Sequence, residues 1–306
     1  MRESFRASAP GKLMLLGEHA VLHGHRCIVC AVNQRLRIVV RPRSDMKISI
    51  DSDLGCYQSD LKNLVVEDTL RFVLTAIDQH KALLAHGFAA EIESDLGATV
   101  GLGSSAAVTA AMTIALFHLA GLDLEADKIF DRSLSTVRAV QGKGSGADLA
   151  ASVYGGALLY RHQPKQITPL RTMHPIVVVY SGYKTATTDV IRLVENQREK
   201  FPGLFSHIYS AMDSSAARAA RAINEDDWPT VGELLTMNQG LMSAIGVSDQ
   251  RLADLVYRLL RDPGILGAKI SGSGLGDCVV GLGAVRNKSR LQLLPIEMSR
   301  QGVTID

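Results

Sequence analysis

Residues 101–107 of this chain read Gly-Leu-Gly-Ser-Ser-Ala-Ala, a glycine-rich turn that runs directly into helix-forming residues. Glycine allows positive φ and has no Cβ, so backbone N–H groups can converge on an anion. Ser104 and Ser105 are favourable N-cap residues, and a helix N-terminus adds partial positive charge. The stretch therefore predicts a phosphate-binding loop in front of a buried helix over 106–120, ended by Gly121.

Two further glycine-rich stretches lie far from this one, and the three are numbered in chain order: the first is 10–24, the second is 101–107 and the third is 269–277. Residues 10–24 read Pro-Gly-Lys-Leu-Met-Leu-Leu-Gly-Glu-His-Ala-Val-Leu-His-Gly, and residues 269–277 read Lys-Ile-Ser-Gly-Ser-Gly-Leu-Gly-Asp. Taken singly, each is more typical of a structural turn than of a phosphate site. No stretch has the Walker pattern, Gly, four residues, then Gly-Lys-Ser/Thr, and no Gly-x-Gly-x-x-Gly opens a βαβ unit in the usual place.

The composition is ordinary for a soluble globular enzyme. The chain has 306 residues, of which 46% are hydrophobic and 21% charged, so it can form one large domain or two of common size. A formal net charge of +2 gives no electrostatic reason to expect a nucleic-acid partner. No apolar run approaches the roughly 20 residues that span a bilayer, and no apolar region of a signal peptide follows the N-terminus. We therefore expect a cytoplasmic protein without a membrane partner.

Cys27 and Cys30 have the Cys-x-x-Cys spacing of redox and metal sites. They lie inside the apolar run 27–32, whereas a redox pair usually opens a helix, and no second ligand pair has the spacing for zinc. We interpret them as two buried thiols of a strand, which fits a reducing cytoplasm.

Hydrophobic periodicity predicts strands mixed with helices without regular alternation, which is typical of the α+β class. The predicted strands are 13–16, 27–32, 36–40, 48–50, 90–94, the end of 151–160 after a Gly-Gly, 176–180, 268–270 and 278–282. The predicted helices are 64–77, 106–120, 124–140, 188–199, 204–224 and 230–245. The stretch 161–166 is polar and contains Pro164, so we predict two domains, 1–163 and 164–306.

Together and in this order, the three glycine-rich stretches resemble those of the GHMP kinase superfamily, kinases named for galactose, homoserine, mevalonate and phosphomevalonate. The resemblance covers nearly the whole chain. Residues 17–24, and the Met-Asn-Gln-Gly-Leu of residues 237–241, resemble the mevalonate kinases in particular. The second of these lies in a predicted helical region without a phosphate role, so it supports the subfamily independently. The resemblance implies a ribosomal-S5-type N-terminal domain, a ferredoxin-like C-terminal domain and an active site between them.

The resemblance implies an ATP-dependent transferase that phosphorylates the primary hydroxyl of mevalonate in isoprenoid precursor synthesis. It implies Mg²⁺ as the metal, with the Ser105 hydroxyl as a ligand. Related kinases are often homodimers, so a homodimer is a possible assembly by analogy. The implied ATP-binding residues are Gly101, Leu102, Gly103, Ser104, Ser105 and Ala106.

The resemblance implies that Asp148 and Lys12 carry the chemistry. Asp148 matches the family's catalytic aspartate, which faces the substrate hydroxyl and can accept its proton. Lys12 would lie beside both groups, and a cation there lowers the pKa of the hydroxyl. From the sequence alone, a turn carboxylate and a solvated lysine explain these residues equally well.

The resemblance also implies a pocket for the acceptor, lined by residues of the first stretch and of the region at the start of the predicted helix 188–199, and closed by the third stretch. The implied substrate-binding residues are Glu18, His19, Thr188, Gly272 and Ser273. The family position assigned to Thr188 could instead fall on the neighbouring Thr187. Either threonine would also suit the N-cap of the following helix.

Two features depart from the mevalonate kinase pattern. Val137 stands where those kinases commonly have a metal-binding glutamate, eleven residues before the catalytic aspartate. The loop 141–148, with Lys143, and the Gly276-Asp277-Cys278 ending look more like phosphomevalonate kinase. Phosphomevalonate therefore stays open as the acceptor. A non-catalytic metabolite sensor on the same fold is a further alternative, which the presence of the expected catalytic residues disfavours.

Overall fold

The computed structural model of the chain describes residues 3–97, 101–286 and 291–306. In chain order, the strands are β1 (Phe5–Leu16), β2 (Cys27–Pro42), β3 (Lys47–Ser52), β4 (Gly55–Asp60), β5 (Phe88–Ser94), β6 (Ala157–Arg161), β7 (Gln166–Pro169), β8 (Ile176–Tyr180), β9 (Ile265–Ser271), β10 (Cys278–Gly283), β11 (Leu293–Leu294) and β12 (Thr304–Ile305).

The α-helices, in the same order, are α1 (Arg71–His80), α2 (Ser104–Ala120), α3 (Ala126–Gln141), α4 (Ala147–Tyr154), α5 (Thr187–Lys200), α6 (Pro202–Asn224), α7 (Trp228–Ala244) and α8 (Gln250–Leu260). Within the described part of the chain, none of the helices combines the length and the apolar character that a membrane span requires.

Within the described residues, the larger sheet has eight strands, and its strand β1 carries the start of the first glycine-rich stretch. Its order is β12-β1-β2-β5-β3-β4, and β6 joins it by pairing with β2 and with β7. Strand β1 runs antiparallel to β2, and their register shifts between Pro10 and Lys12. Such an irregularity bends a strand and redirects a side chain, so it sets the direction in which Lys12 leaves the sheet.

The smaller sheet has the order β11-β8-β10-β9, and neighbouring strands are antiparallel. Helices α7 and α8 pack on this sheet. The third glycine-rich stretch connects its strands β9 and β10. Two sheets with helices beside them confirm the predicted α+β class.

Helix α2 lies in the interior, as its sequence predicts. Most of its residues from Ala106 to Phe117 are buried, and the helix ends at Gly121, which has φ of +69°. Its alanines allow close approach to β1 and β2, which it contacts. The glycine-rich loop before α2 is therefore held on a rigid buried element.

Most predicted elements are confirmed, but one helix begins later than predicted and several elements were missed. The helix predicted over 64–77 begins only at Arg71, after a 3-10 turn over Asp68–Leu70. Val66 is exposed, so the apparent four-residue period starts outside the buried face. The sequence analysis also missed β4, α4, β7, α8 and the short strands β11 and β12.

The predicted domain boundary after residue 163 falls between two paired strands. Strands β6 and β7 form an antiparallel hairpin, and β12 returns from the C-terminus to pair with β1. The smaller sheet nevertheless lies wholly beyond residue 163. The division into 1–163 and 164–306 stays a prediction.

Cys27 and Cys30 lie in β2 as free, buried thiols. Burial raises the pKa of Cys30 to about 12. Neither thiol is therefore a ready thiolate, which agrees with the structural interpretation of the Cys-x-x-Cys spacing.

Candidate active site

The ammonium group of Lys12 lies beside the carboxylate of Asp148, with 3.2 Å between Nζ and Oδ2. Asp148 is in the first turn of α4, where the helix N-terminus favours a negative charge. The side chain of Lys12 is 8% exposed, whereas that of Asp148 is 43% exposed. The two residues form a pair whose carboxylate is open to a ligand.

The surroundings of Lys12 favour its charged form. Burial lowers the pKa of Lys12, but the charge and hydrogen bond of Asp148 act in the opposite direction, together with smaller effects of Asp277 and Glu18. The net result is a pKa above the ordinary value of lysine. Lys12 therefore provides a fixed positive charge at neutral pH.

The glycine-rich loop before α2 contacts both the backbone and the side chain of Lys12. The backbone N–H of Lys12 donates a hydrogen bond of 2.9 Å to the carbonyl oxygen of Leu102. Gly103 has φ of +77°, and a Cβ at this position would lie 2.8 Å from Cγ of Lys12. Only glycine combines a positive φ with this close approach of the Lys12 side chain, so the loop lies directly against Lys12.

Ser104 and Ser105 are the first two residues of α2, and Gly103 is its N-cap without a side-chain capping bond. The expectation that the serines cap the helix is therefore wrong, because the left-handed glycine takes the cap position. The first N–H groups of a helix have no partner within it. Together with the two serine hydroxyls, they offer donors to an anion at this loop.

Asp277 brings the third glycine-rich stretch to the same loop. Gly101 has φ of +72°, and a Cβ there would lie 2.5 Å from Cγ of Asp277. Burial raises the pKa of Asp277, while Lys184 and Lys12 act to lower it. The three stretches, distant in sequence, therefore meet around Lys12.

His19 joins the first stretch to the third one. Its Nε2–H donates to the backbone carbonyl of Ser273 at 2.8 Å. Burial lowers the pKa of His19, so the ring is neutral at pH 7. His19 adopts φ of +60°, and Gly272 adopts φ of +99°, so both turns have left-handed backbones. The acceptor residues predicted from these stretches, His19 and Ser273, are thus neighbours.

Glu18 forms a buried ion pair with Lys269 and accepts a hydrogen bond of 3.3 Å from Nδ2 of Asn238. Lys269 also donates to the carbonyl oxygen of Ile270. Burial lowers the pKa of Lys269 more than the charge of Glu18 raises it. Both carboxylate oxygens of Glu18 therefore have protein partners, and the residue ties the turn after β1 to β9 and α7.

Thr188 is exposed in the first turn of α5, whose N-cap is Ala186 without a side-chain capping bond. Neither Thr187 nor Thr188 therefore caps this helix. Thr185 donates from Oγ1 to the carbonyl oxygen of Leu275 at 2.6 Å, which ties the start of α5 to the third stretch. The role of Thr188 toward an acceptor stays a prediction.

Family models match both halves of the chain. The GHMP kinases N terminal domain matches residues 63–156, and the GHMP kinases C terminal domain matches residues 219–293. The galactokinase galactose-binding signature matches residues 2–42. A mevalonate kinase of Aeropyrum pernix is 34% identical over 290 residues, which cover 92% of this chain and 89% of the relative. This chain belongs to the GHMP kinase family.

Solved structures share the fold of this GHMP kinase. The mevalonate kinase of Methanococcus jannaschii has a TM-score of 0.81 at 23% identity, with 96% of this chain and 98% of that chain covered. The L. major mevalonate kinase in complex with R-mevalonate has a TM-score of 0.73 at 26% identity, with 92% and 87% covered. The predicted two-domain GHMP kinase fold is confirmed.

The oxygen donors of this GHMP kinase fit a Mg²⁺ ion that is bound together with phosphates. Across the residues that the structure describes, no group of three or more His, Cys, Asp or Glu side chains could hold a metal. Mg²⁺ commonly takes only one or two carboxylates, with phosphates and water completing its octahedron. Ser105 and the accessible Asp148 supply such oxygens beside the loop, whereas the buried Val137 supplies none.

The sequence analysis did not predict which three residues support the turn around Glu18. Lys269, Asn238 and Gln239 support the turn around Glu18, with Gln239 accepting from the N–H of Ile270 at 2.8 Å. A lysine within an apolar strand could have indicated a buried ion pair, because a buried lysine requires a charged or polar partner. Only the fold identifies that partner.

We expect Gly103→Ala to lower kcat/KM by about tenfold to a hundredfold, because the added methyl group must displace Lys12 or the loop. Steady-state kinetics measure this effect. Gly142→Ala is the matched control, since Gly142 has φ of +71° and nothing within 4 Å of a Cβ. Equal loss in both variants would show that backbone strain alone is responsible.

We expect Lys269→Met to lower the free energy of unfolding by about 3–5 kcal/mol, because the Glu18 carboxylate stays buried without its cation. Urea denaturation measures the change. The double variant Glu18→Gln/Lys269→Met should regain part of the loss, since it leaves no unpaired charge. Wild-type stability of Lys269→Met would contradict the buried ion pair.

Proposed function

We propose that this chain transfers the γ-phosphoryl group of ATP to the primary hydroxyl of mevalonate. The observation that carries the proposal is the Lys12–Asp148 pair, 3.2 Å apart, directly beside the glycine-rich loop at the start of α2. A full-length relative named mevalonate kinase adds support for the acceptor.

In the proposed reaction, the acceptor hydroxyl oxygen forms a bond to the γ-phosphorus as the bond to the bridging β–γ oxygen breaks. ADP leaves with the electrons of that bond, and the hydroxyl proton passes to Asp148. Lys12 stabilises the negative charge that develops on the attacking oxygen. The N–H groups at the start of α2 hold the phosphates in position.

We also propose Mg²⁺ as the metal, with the Ser105 hydroxyl and Asp148 as the residues that would hold it. When bound, Mg²⁺ would neutralise part of the negative charge of the phosphates. The accessible carboxylate of Asp148 and the uncapped start of α2 support this assignment.

The proposed acceptor pocket lies where the first and third stretches meet. His19 and Ser273 would line this pocket, joined by the hydrogen bond from His19 Nε2–H to the carbonyl oxygen of Ser273. The hydroxyl of Ser273 has no hydrogen-bond partner within the described residues. Glu18 would support this pocket through its bonds to Lys269 and Asn238. Gly272 would give it the left-handed turn before Ser273. Thr188 would approach from α5.

The test is the initial rate of ADP formation with Mg²⁺-ATP and one acceptor at a time. The acceptors are mevalonate, 5-phosphomevalonate and, because of the signature at residues 2–42, galactose. We expect turnover with mevalonate well above the rate without acceptor. Turnover with only another acceptor, or a rate independent of any acceptor, would contradict the proposal.

Phosphomevalonate is the second candidate acceptor. Lys143 is exposed in the loop between α3 and α4 that leads to Asp148, where a second cation could meet a phosphate already on the substrate. A higher kcat/KM with 5-phosphomevalonate, abolished by Lys143→Met, would favour this candidate. Binding of mevalonate without ADP formation would instead favour a non-catalytic sensor.

We place the proposed enzyme in the cytoplasm, with small molecules rather than nucleic acid as its ligands, and a homodimer is its proposed assembly. Buried free thiols at Cys27 and Cys30 are compatible with a reducing compartment. Sedimentation measures the assembly directly.

A further inference from the structure

Asp277 is a buried carboxylate at the phosphate side of the cleft. A Cβ on Gly101 would lie 2.6 Å from its Oδ1 and 2.8 Å from its Oδ2, so both oxygens face the first glycine of the loop. Asp277 itself is only 5% exposed. A negative group is thus held against a loop whose N–H donors are suited to bind phosphate.

One oxygen of the Asp277 carboxylate is not satisfied by the surrounding residues that the structure describes. Its Oδ1 has no hydrogen-bond partner within residues 3–97, 101–286 and 291–306. The nearest cation of an ion pair is Lys184, whose Nζ lies 3.8 Å from Oδ1, which is too long for a hydrogen bond. Since a buried charge without full pairing is costly, the arrangement favours a further ligand at this oxygen.

Hydrogen bonds of its N–H and carbonyl groups hold the backbone of Asp277 in place. The N–H of Asp277 donates to the carbonyl oxygen of Tyr183 at 3.0 Å, and its carbonyl oxygen accepts from Ser181 at 2.8 Å. Asp277 has φ of +59°, a region that aspartate tolerates better than most residues. The backbone that carries this buried carboxylate is therefore held in place before any ligand binds.

A carboxylate beside bound phosphates repels them unless a cation lies between the two groups. Mg²⁺ binds through carboxylates and phosphates together, which matches this need. The site otherwise offers Asp148 as its accessible carboxylate, while the position of Val137 on α3 supplies no oxygen.

We propose that Asp277 is a second carboxylate that binds the Mg²⁺ of the nucleotide complex, from the third glycine-rich stretch. The inference rests on the proposed function insofar as it requires a metal–nucleotide ligand, but it does not depend on which acceptor is used. Asp277 also raises the affinity of the loop for a metal-bound over a metal-free nucleotide.

The test measures Mn²⁺ binding by electron paramagnetic resonance in the presence of a non-hydrolysable ATP analogue and without an acceptor. The variants are Asp277→Asn, which keeps the shape and tolerates positive φ, and Asp277→Gly, which removes the side chain. We expect each to weaken Mn²⁺ binding by about tenfold or more. Glu91→Gln, an exposed carboxylate of β5 paired with Arg41, should bind Mn²⁺ like the wild type.

Unchanged Mn²⁺ affinity in both Asp277 variants would overturn the inference. Equal weakening of metal-free nucleotide binding would also overturn it, since that result indicates a hydrogen bond from a protonated Asp277 to phosphate. If the wild type binds the Mn²⁺–nucleotide complex and the variants do not, the inference stands even where no turnover with mevalonate is found. That combination would reject only the proposed function.

Discussion

Replacing Lys12 by methionine is expected to lower kcat by about 100- to 1000-fold, the effect of removing one group that stabilises transition-state charge. Methionine keeps the length of the side chain and its contact with Gly103, but it removes the charge beside Asp148. A coupled assay of ADP formation with mevalonate measures the loss.

The fold should survive this substitution, because methionine is well suited to a side chain that is only 8% exposed. Circular dichroism and the thermal midpoint check that point. Lys47→Met, which removes an exposed lysine of β3, is the matched control and should leave kcat unchanged. Near-normal turnover of Lys12→Met would remove Lys12 from the mechanism.

Asp148→Asn should lower kcat by about 100- to 10,000-fold, the range attributed to general acid–base catalysis. Asparagine has nearly the same shape, but it cannot accept the hydroxyl proton. The KM for mevalonate should change much less than kcat, since the pocket between His19 and Ser273 is untouched. Steady-state kinetics with each substrate varied in turn separate the two parameters.

Lys12 and Asp148 should act as one unit, because their side chains form an ion pair with 3.2 Å between Nζ and Oδ2. The double variant Lys12→Met/Asp148→Asn is therefore expected to lose little more activity than the worse single variant. Fully additive losses would show that the two residues assist the reaction independently. An Asp148→Asn variant with normal kcat would show that no proton acceptor is needed at this position.

The sequence predicted those features that depend on local pattern. Helix α2 and its glycine-rich loop follow from a run of helix formers between glycines, and β8 follows from an uninterrupted apolar segment. The start of α2 shows the limit of such reasoning. The serines have cap propensity, but Gly103 with φ of +77° takes the cap position because the loop must pass over Lys12.

Long-range pairs could not be obtained from periodicity. The proximity of Lys12 to Asp148 was expected only through the resemblance to a family. The pair between Glu18 and Lys269 spans 251 positions and was not expected at all. Burial of both side chains, rather than any spacing, makes this pairing necessary.

Asp277 illustrates a different limit. In the sequence it is the last residue of a glycine-rich turn, where aspartate is common for conformational reasons. Its position against Gly101 and the lack of a hydrogen bond at Oδ1 become visible only when two distant turns meet. The sequence predicted the phosphate loop, and the fold adds the charge that faces it.

The central claim is that three turns, far apart in the chain, build one cleft for phosphoryl transfer to an alcohol. The most direct measurement is a ³¹P and ¹H NMR analysis of the product formed from mevalonate and Mg²⁺-ATP. The account predicts a phosphomonoester at the primary hydroxyl oxygen, formed in equal amount to ADP, and a much slower formation of this product with Asp148→Asn. Release of ADP with inorganic phosphate and unaltered mevalonate would contradict it.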